Sequence, residues 1–429
     1  MLGLSMIQLV RRAGGKLDRD MRQELVQFYR PFRKIPCFLQ RPYETMKKKD
    51  KSLPVIIEFE QDAFDHGIND VKNTKCRSLH QFPSMSSCSA KLSLEKIEHL
   101  LDNCLHIKKI YYDKKVTTLL DTATPSIHSD QLQQTGLTGN DVTIAVIDTG
   151  VYPHQDLEGR ITGFKDFINN RTAPYDDNGH GTHCAGDAAG NGLLSGGKYK
   201  APAPEANIVG VKVLDKMGSG SLSTVIAGID WCIQNKTQLK INILSLSLGS
   251  TATQPAADDP VVKAVEKAWD NGLVVCVAAG NSGPSQGTIA SPGISPKVIT
   301  VGAANDHNSI DRTDDVAADF SSRGPTIDGL VKPDLLTPGV NIISLRSPRS
   351  FIDKTNSGAR VDTNYFSLSG TSMATPICAG VAAQLLQKEP TLTPDQVKQR
   401  LIGACEDLGQ PPNIQGHGYL NAAKLLLTV

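Results

Sequence analysis

The sequence lacks the features that mark several large classes of protein. Hydrophobic residues make up 39% of its 429 residues, yet no apolar run approaches the roughly 20 residues that a membrane span needs. Lysine and arginine (45) nearly balance aspartate and glutamate (44), which does not favour a polyanionic partner. A His-x-x-His pair is present, but it has no companion cysteine or histidine cluster of the kind that holds zinc. We therefore expect no membrane span, no nucleic-acid partner and no zinc site.

The cysteines and the N-terminus do not indicate a secreted protein. There are nine cysteines, an odd number without the paired spacing of a disulfide framework. Arg11 and Arg12 follow the short apolar start of the chain, whereas a secretory signal carries its charges before the apolar stretch. Both observations predict a cytoplasmic protein with free thiols.

Positive charge is concentrated at the beginning of the chain. Residues 1–51 contain 13 Lys and Arg against 5 Asp and Glu, and we interpret them as a basic N-terminal extension. Basic leaders can bind nucleic acid or a membrane surface. Because no nucleic-acid motif is present, a solvated and partly helical extension is favoured.

One serine lies where a loop is predicted to become a helix. Ser372 is followed by small and apolar residues as far as Lys388, with a proline at position 376, where only a first helical turn tolerates it. A helix N-terminus offers unpaired N–H groups and the positive end of a dipole, so an oxyanion formed beside Ser372 would be stabilised. Taken alone, however, Ser372 is better explained as a helix cap.

Three other residues could act together with this serine. Asp148 follows an apolar run typical of a buried parallel strand, and ligand-binding groups collect at the carboxyl ends of such strands. His180, in a glycine-rich segment, is the candidate general base, whereas we expect His183 to be structural. Asn281 follows another buried strand and could donate its amide N–H to an oxyanion. Asp148 and Asn281 could instead be ordinary turn residues without a catalytic role.

Together these segments resemble the four signatures of the subtilisin-like serine proteases, the subtilases. The motifs are Asp148-Thr149-Gly150, His180-Gly181-Thr182-His183, Ala278-Ala279-Gly280-Asn281 and Gly370-Thr371-Ser372-Met373-Ala374. Their order along the chain is also that of subtilisin, and the likeness extends from about residue 131 to the C-terminus. The resemblance implies a serine endopeptidase of the intracellular type, with a triad of Asp148, His180 and Ser372 and with Asn281 in the oxyanion hole.

The resemblance also implies a fold for each part of the chain. Residues 121–429 should form the α/β catalytic domain, a three-layer, doubly wound and mainly parallel sheet. Residues 52–120 read as strand, helix and strand, similar to the family's small α+β ferredoxin-like pro-domain, which acts as an intramolecular inhibitor. Its tail, residues 114–120, would lie in the substrate groove and be cut by the enzyme itself near Leu119-Leu120. The alternative for this tail is a plain inter-domain linker.

The likeness further suggests how protein or peptide substrates bind. Two backbone edges would flank an extended peptide, which would add to them as a β-strand. One pocket of this groove would hold the side chain of the substrate residue that precedes the cleaved bond. The residues on its wall are small, which implies room for a large apolar side chain. The residues that the resemblance assigns to this groove are Gly218, Ser219, Gly220, Ser247, Leu248, Gly249, Ala278, Ala279 and Gly280.

No cofactor is required for this chemistry, but the resemblance allows a structural calcium ion. Asp156 matches an aspartate that holds Ca²⁺ in relatives, whereas Lys198 would bring a cation close to a site that needs oxygen ligands. A turn at Ser291–Pro292 matches one with a cis proline in relatives. Residues 346–364 have no such match, and we expect a flexible loop at the rim of the groove.

Two other classes of function remain open. A catalytically silent binding protein could keep the fold and a permanently bound pro-domain. A non-proteolytic hydrolase would use a Gly-x-Ser-x-Gly elbow, but Ser372 follows Gly370-Thr371 and lacks that pattern. The complete set of triad residues favours the protease.

Overall fold

The computed structural model describes residues 13–29, 46–83, 86–113 and 123–427. The chain divides into two units, Met1–Val116 and Thr117–Val429, each with its own hydrophobic core. None of the helices in these described ranges is long and apolar enough to cross a membrane. The expected self-cleavage segment, residues 114–120, lies outside the described residues.

The N-terminal unit contains a four-stranded antiparallel sheet in the spatial order β2-β3-β1-β4. Its elements are α1 (Arg19–Tyr29), β1 (Ser52–Phe59), α2 (Phe64–Asn73), β2 (Arg77–Phe82), β3 (Ser87–Ser93), α3 (Leu94–Asn103) and β4 (Ile107–Tyr112). In β1 every second residue is buried, as expected for a strand with one face on a core. From β1 onward, the chain order βαββαβ and the sheet order are those of a ferredoxin-like α+β fold.

Part of the basic N-terminal segment belongs to this unit. Leu17, Met21 and Leu25 are fully buried and lie in the same core as the sheet. The backbone N–H of Asp18 donates to the carbonyl of Ile110 in β4 at 3.0 Å. The boundary that we expected at residue 51 therefore does not separate an extension from a domain. Met21 and Leu25 are four residues apart in α1, which places one apolar face of the helix on the core, and Leu17 precedes the helix. Counting charges overlooks this pattern.

The α-helices of the C-terminal unit are α4 (Ala123–Ser126), α5 (Ser129–Gln134), α6 (His180–Ala189), α7 (Leu222–Asn235), α8 (Pro260–Asp270), α9 (Phe351–Thr355), α10 (Thr371–Lys388), α11 (Pro394–Gly403) and α12 (Pro412–Gln415). Its strands are β5 (Thr143–Asp148), β6 (Ile161–Asp166), β7 (Asn207–Lys212), β8 (Ile241–Leu246), β9 (Ser250–Thr251), β10 (Val274–Ala278), β11 (Ala290–Ser291), β12 (Ile299–Asn305), β13 (Val316–Ala317), β14 (Leu335–Pro338), β15 (Ile342–Leu345), β16 (Arg360–Val361), β17 (Tyr365–Leu368), β18 (Cys405–Glu406) and β19 (Tyr419–Leu420).

The main sheet of this unit has the order β18-β19-β14-β12-β10-β8-β5-β7-β6. All neighbours from β6 to β19 are parallel, and β18 and β13 add antiparallel pairs at β19 and β12. Every residue of β5 and β10 is buried, because a parallel sheet is covered by helices on both faces. The predicted mainly parallel α/β architecture is thus confirmed.

The strand order creates a crevice at the end of β5. The chain places β7 and β6 on one side of β5, and β8, β10 and β12 on the other. Such a reversal of strand order opens a crevice at the carboxyl ends of the strands. Asp148 is the last residue of β5, while α6 begins at His180 and α10 at Thr371.

The predicted cis peptide bond between Ser291 and Pro292 is confirmed. Other cis bonds in the described part of the chain precede Pro284, Pro325 and Pro333.

We expect Leu25→Ala to destabilise the N-terminal unit by about 2–5 kcal/mol, because the buried side chain leaves a cavity in the core. Val26 is the matched control: it is 55% exposed, so Val26→Ala should change the free energy of unfolding by less than about 0.5 kcal/mol. Hydrogen exchange of the β1 and β4 amides in the full chain measures the difference. Equal protection in the two variants would show that α1 is not part of the core.

Candidate active site

The carboxyl end of β5 brings a carboxylate against an imidazole. Asp148 is fully buried, and Nδ1 of His180 lies 2.8 Å from its Oδ1 and 3.0 Å from its Oδ2. The backbone N–H of Thr149 donates to the same Oδ1 at 2.7 Å. Since a carboxylate can only accept, the imidazole carries its proton on Nδ1 and leaves Nε2 as a basic nitrogen. The His180 side chain remains 25% exposed, so a substrate can reach it.

Two opposing effects set the pKa of His180. Burial of the ring is the largest single effect and lowers the pKa. The charge and hydrogen bond of Asp148, together with Cys184, raise it, and the net result is a pKa well above the ordinary value. The pair therefore holds the imidazole in the environment of a strong general base.

A buried aspartate that the sequence analysis missed organises the turn before His180. Asp176 is 5% exposed, and burial raises its pKa. Its carboxylate accepts hydrogen bonds from the N–H groups of Asn178 (3.0 Å), Gly179 (2.8 Å) and Thr182 (2.9 Å) and from the hydroxyls of Thr149 (2.9 Å) and Thr182 (2.6 Å). The turn is thereby attached to the residue that follows Asp148. An acid shortly before a helix is a capping signal, and it could have been read from the sequence.

A buried lysine supports the same strand end. Lys212, the last residue of β7, is opposite Asp148 in the sheet and is fully buried. Its Nζ donates to the carbonyls of Thr149 (2.6 Å) and Leu214 (2.8 Å) and to Asp177 Oδ1 (2.8 Å). It therefore connects β5 and β7 to the turn before α6. A lysine that ends an otherwise apolar strand was the signal for it in the sequence.

Ser372 is the second residue of α10, and its two oxygens are oriented by neighbouring residues. Its hydroxyl donates to the carbonyl of Ser247 at 3.1 Å. Pro376, four residues on, has no N–H to offer the Ser372 carbonyl. The hydroxyl of Ser247 (2.6 Å) and Sγ of Cys184 (3.5 Å) donate to that carbonyl instead. The first turn of α10 is thus attached to the residues that follow β8.

Thr371 fixes the amide of Asn281. Its N–H and its hydroxyl donate to Oδ1 of Asn281 at 2.9 Å and 3.0 Å. This leaves the donor nitrogen, Nδ2, available to another acceptor. The N–H of Ser372 lies in the first turn of α10, where backbone N–H groups have no acceptor within the helix. Two N–H donors are therefore available beside the Ser372 hydroxyl.

Two adjoining cavities, of about 600 Å³ and about 350 Å³, flank these residues. Ser247, Leu248 and Gly249 line both of them. The larger cavity is also lined by His180, Gly218, Ser219 and Gly220. The smaller one is also lined by Ala278, Gly280, Asn281 and Ser372.

Ala279 is the one residue expected in the groove that lines neither cavity. It is fully buried and packs with Ile289 and Ile294 in a separate apolar cluster. Successive side chains of an extended segment point to opposite sides, so Ala278 and Ala279 cannot both face the groove.

Residues 346–364 are held in place around one buried carboxylate rather than forming an irregular loop. Asp353 accepts hydrogen bonds from the guanidinium groups of Arg346 (2.7 and 3.0 Å) and Arg360 (2.6 Å) and from the N–H of Arg349 (2.8 Å). Burial would raise the pKa of Asp353, but these hydrogen bonds and charges lower it to about 2. The segment contains α9 and β16 as a result.

The same segment packs on the turn before His180. The N–H groups of Phe351 and Ile352 donate to the carbonyls of Asp177 (2.8 Å) and Asn178 (3.0 Å). The Ile352 side chain lines the larger cavity, so this segment forms an apolar part of the groove wall that sequence analysis did not identify.

The expected calcium ligand, Asp156, is surrounded by donors. Its Oδ1 accepts the N–H of Leu194 at 3.0 Å and its Oδ2 the hydroxyl of Tyr365 at 2.7 Å. The N–H of Asn191 and the guanidinium of Arg160 both donate to its backbone carbonyl. Calcium needs about six to eight oxygen ligands, and hydrogen-bond donors occupy the oxygens here. The residues do not fit a calcium ion, and the expectation at Asp156 is corrected accordingly.

His183 has the structural position expected of it. It is fully buried, with Nδ1 2.9 Å from Asp187 Oδ2 and Nε2 3.1 Å and 3.0 Å from the carbonyls of Ile342 and Phe366. It therefore attaches α6 to β15 and β17 and takes no part in the groove.

Comparison with known proteins agrees with this geometry. Residues 139–418 match the model of the Subtilase family. Serine protease AprX of Bacillus subtilis (strain 168) is 51% identical over 437 residues, which cover 98% of each chain. Subtilisin E of the same strain is 36% identical over 320 residues, covering 74% of this chain and 72% of that protein.

A solved structure supports the same conclusion. The crystal structure of a cold adapted subtilisin-like serine proteinase matches with a TM-score of 0.51 and 34% sequence identity, covering 66% of this chain and 88% of that one. The identity and coverage of these relatives, together with the family match, are sufficient to assign the family. The chain belongs to the subtilase family of serine proteases.

Proposed function

We propose that this serine protease is an endopeptidase that uses Ser372 as nucleophile, His180 as general base and Asp148 as the residue that orients His180. Ser372 Oγ attacks the peptide carbonyl while His180 Nε2 takes its proton, and His180 then gives that proton to the leaving amine. Water repeats both steps to release the acyl group. The observation that carries the proposal is the contact of His180 Nδ1 with both oxygens of Asp148, at 2.8 and 3.0 Å.

Substrate binding would also prepare the nucleophile. The Ser372 hydroxyl donates to the carbonyl of Ser247, so attack requires a rotation about its Cα–Cβ bond. A peptide that adds as a strand along residues 247–249 would donate an N–H to this edge. If that N–H occupies the Ser247 carbonyl, the hydroxyl of Ser372 is released to Nε2 of His180.

The two N–H donors beside Ser372 would stabilise the tetrahedral oxyanion. Thr371 holds the Asn281 amide with its Nδ2 available, and Ser372 supplies its own backbone N–H. Donors fixed before the reaction stabilise developing charge without reorganising during it.

The smaller cavity supports a preference for a large apolar side chain before the cut. Its volume is about 350 Å³, and Leu248, Ala278 and Gly280 form part of its wall. Small wall residues leave room for a bulky side chain, and an apolar one gains most from leaving water.

We further propose that the N-terminal unit is an inhibitory pro-domain and that the protein is made as a self-processing zymogen. The unit has its own hydrophobic core, which a segment that folds independently needs.

A reducing, cytoplasmic location is supported by the cysteines, since all eight within the described residues are free thiols.

The pH dependence of kcat/KM tests the role of His180. A general base acts only when it is neutral, so activity should rise with pH through the pKa of His180 and be lost below it. Because Asp148 raises that pKa, we expect the inflection above the ordinary histidine value of about 6.5. A neutral peptide substrate keeps its own titration out of the profile. An inflection at or below that value would contradict the proposed pair.

Asn281→Ala tests the oxyanion hole. We expect kcat to fall by roughly 10²–10³ with little change in KM, the size that loss of such a donor has in subtilisin. Gln286→Ala removes another amide from an exposed position of the following turn and should leave kcat unchanged. Unchanged kcat in Asn281→Ala would remove Asn281 from the mechanism.

Ser372→Ala tests self-processing. The wild-type chain should shorten during purification, whereas Ser372→Ala should keep its full mass, because no nucleophile is left to cut the segment between the units. Ser285→Ala, at an exposed turn, should shorten like the wild type. Intact-mass spectrometry measures the length of each chain. A wild-type chain that stays full length but hydrolyses casein would refute the proposal that the protein is a self-processing zymogen.

A further inference from the structure

A second group of titratable side chains lies at the end of β12, outside the groove. Residues 306–315 connect β12 to β13, which pairs back with it in antiparallel fashion, Asn305 opposite Val316. This connection contains His307, Asp314 and Asp315, and each can offer a ligand atom within 4.8 Å of the other two. Nδ1 of His307 lies 3.5 Å from Oδ2 of Asp314.

Asp315 is the unusual member of this group. It is only 5% exposed, and neither of its carboxylate oxygens has a hydrogen-bond partner among the described residues. An ionised carboxylate in such a position costs free energy unless a cation or a donor compensates it.

The neighbouring arginine, Arg312, makes no hydrogen bond to Asp315. The guanidinium of Arg312 lies 4.3 Å from the ring centre of Tyr419 and 3.1 Å from a carboxylate oxygen of Glu406. It also donates to the carbonyls of Tyr419 (3.1 Å) and Leu420 (3.2 Å). These contacts attach the connection to β19. Nε and Nη1 of Arg312 are buried without a hydrogen-bond partner among the described residues, and neither donates to Asp315.

We propose that His307, Asp314 and Asp315 bind one divalent first-row transition-metal ion. One imidazole and two carboxylates form a nitrogen and oxygen ligand set that suits Mn²⁺ better than calcium, which prefers oxygen alone. The ion would compensate the buried Asp315. It could enter from solvent, since the side chains of His307 and Asp314 are 44% and 60% exposed.

The site is separate from the catalytic groups. Asp148, His180 and Cys184 form another cluster with ligand atoms close together, but that cluster includes a thiol, which softer ions prefer. Mn²⁺ is therefore the probe that best distinguishes the two clusters.

Equilibrium dialysis against Mn²⁺ tests the proposal, with the EDTA-treated wild type and all variants carrying Ser372→Ala so that each chain stays full length. We expect one ion per chain and a rise in Tm with Mn²⁺ concentration, because a ligand that binds only the folded state stabilises it. His307→Gln should weaken binding by more than about 100-fold, since even partners outside the ligand shell affect affinity by 10–100-fold. Asp319→Asn changes an acid whose side chain is 98% exposed, and it should bind like the wild type.

Asp315→Asn gives a second and opposite signal. Without metal its Tm should equal or exceed that of the wild type, because an unpaired buried carboxylate has been removed. With Mn²⁺ the wild type should have the higher Tm of the two, because only the wild type gains stability from the ion. No bound Mn²⁺ in the wild type, or equal binding by the wild type and His307→Gln, would overturn the site. Binding of Ca²⁺ in place of Mn²⁺ would overturn the proposed ligand chemistry.

Discussion

The contact between the buried Asp148 carboxylate and His180 is the interaction on which the site depends. The last residue of a fully buried strand carries a charge that water cannot solvate, and His180 and the Thr149 N–H compensate it at 2.7–3.0 Å. Thr149 then bonds Asp176, which holds the turn before α6. The geometry of His180 is therefore determined by the end of β5 and not by its own loop alone.

The nucleophile reaches the same crevice by a different route. Residues along α10 are buried through most of its length, so the helix is placed by packing against the sheet rather than by its polar residues. Its first turn is then adjusted by Pro376, which frees the Ser372 carbonyl for Ser247. A single proline thus couples the helix that carries the serine to the edge where a peptide would bind.

The parts of this arrangement that could be predicted are those encoded locally. Continuous apolar runs predicted β5 and β10, and a residue's place after such a run predicted that Asp148 and Asn281 lie at one edge of the sheet. A helix start was predicted at Ser372 from small residues and an early proline.

The predictions that were wrong concern residues whose contacts come from parts of the chain far away in sequence. Asp156 matches a calcium ligand by position, but Tyr365, 209 residues further along, donates to its carboxylate. The core role of Leu25 was hidden because the segment was judged by its charge. The carboxylate of Asp353 is bonded by arginines on both sides, and only the folded chain brings Ile352 beside the groove. Local pattern identifies an element, whereas the direction of a side chain follows from packing.

The most direct test of this account is the kinetic and thermal comparison of Asp148→Asn with the wild type. Asparagine keeps the shape of the aspartate side chain and can still accept the hydrogen bond from the Thr149 N–H. It removes the charge that orients and stabilises protonated His180. We expect kcat to fall by roughly 10⁴, with KM and Tm close to those of the wild type. A kcat within about tenfold of the wild type, a change of only 1.4 kcal/mol in activation free energy, would contradict it.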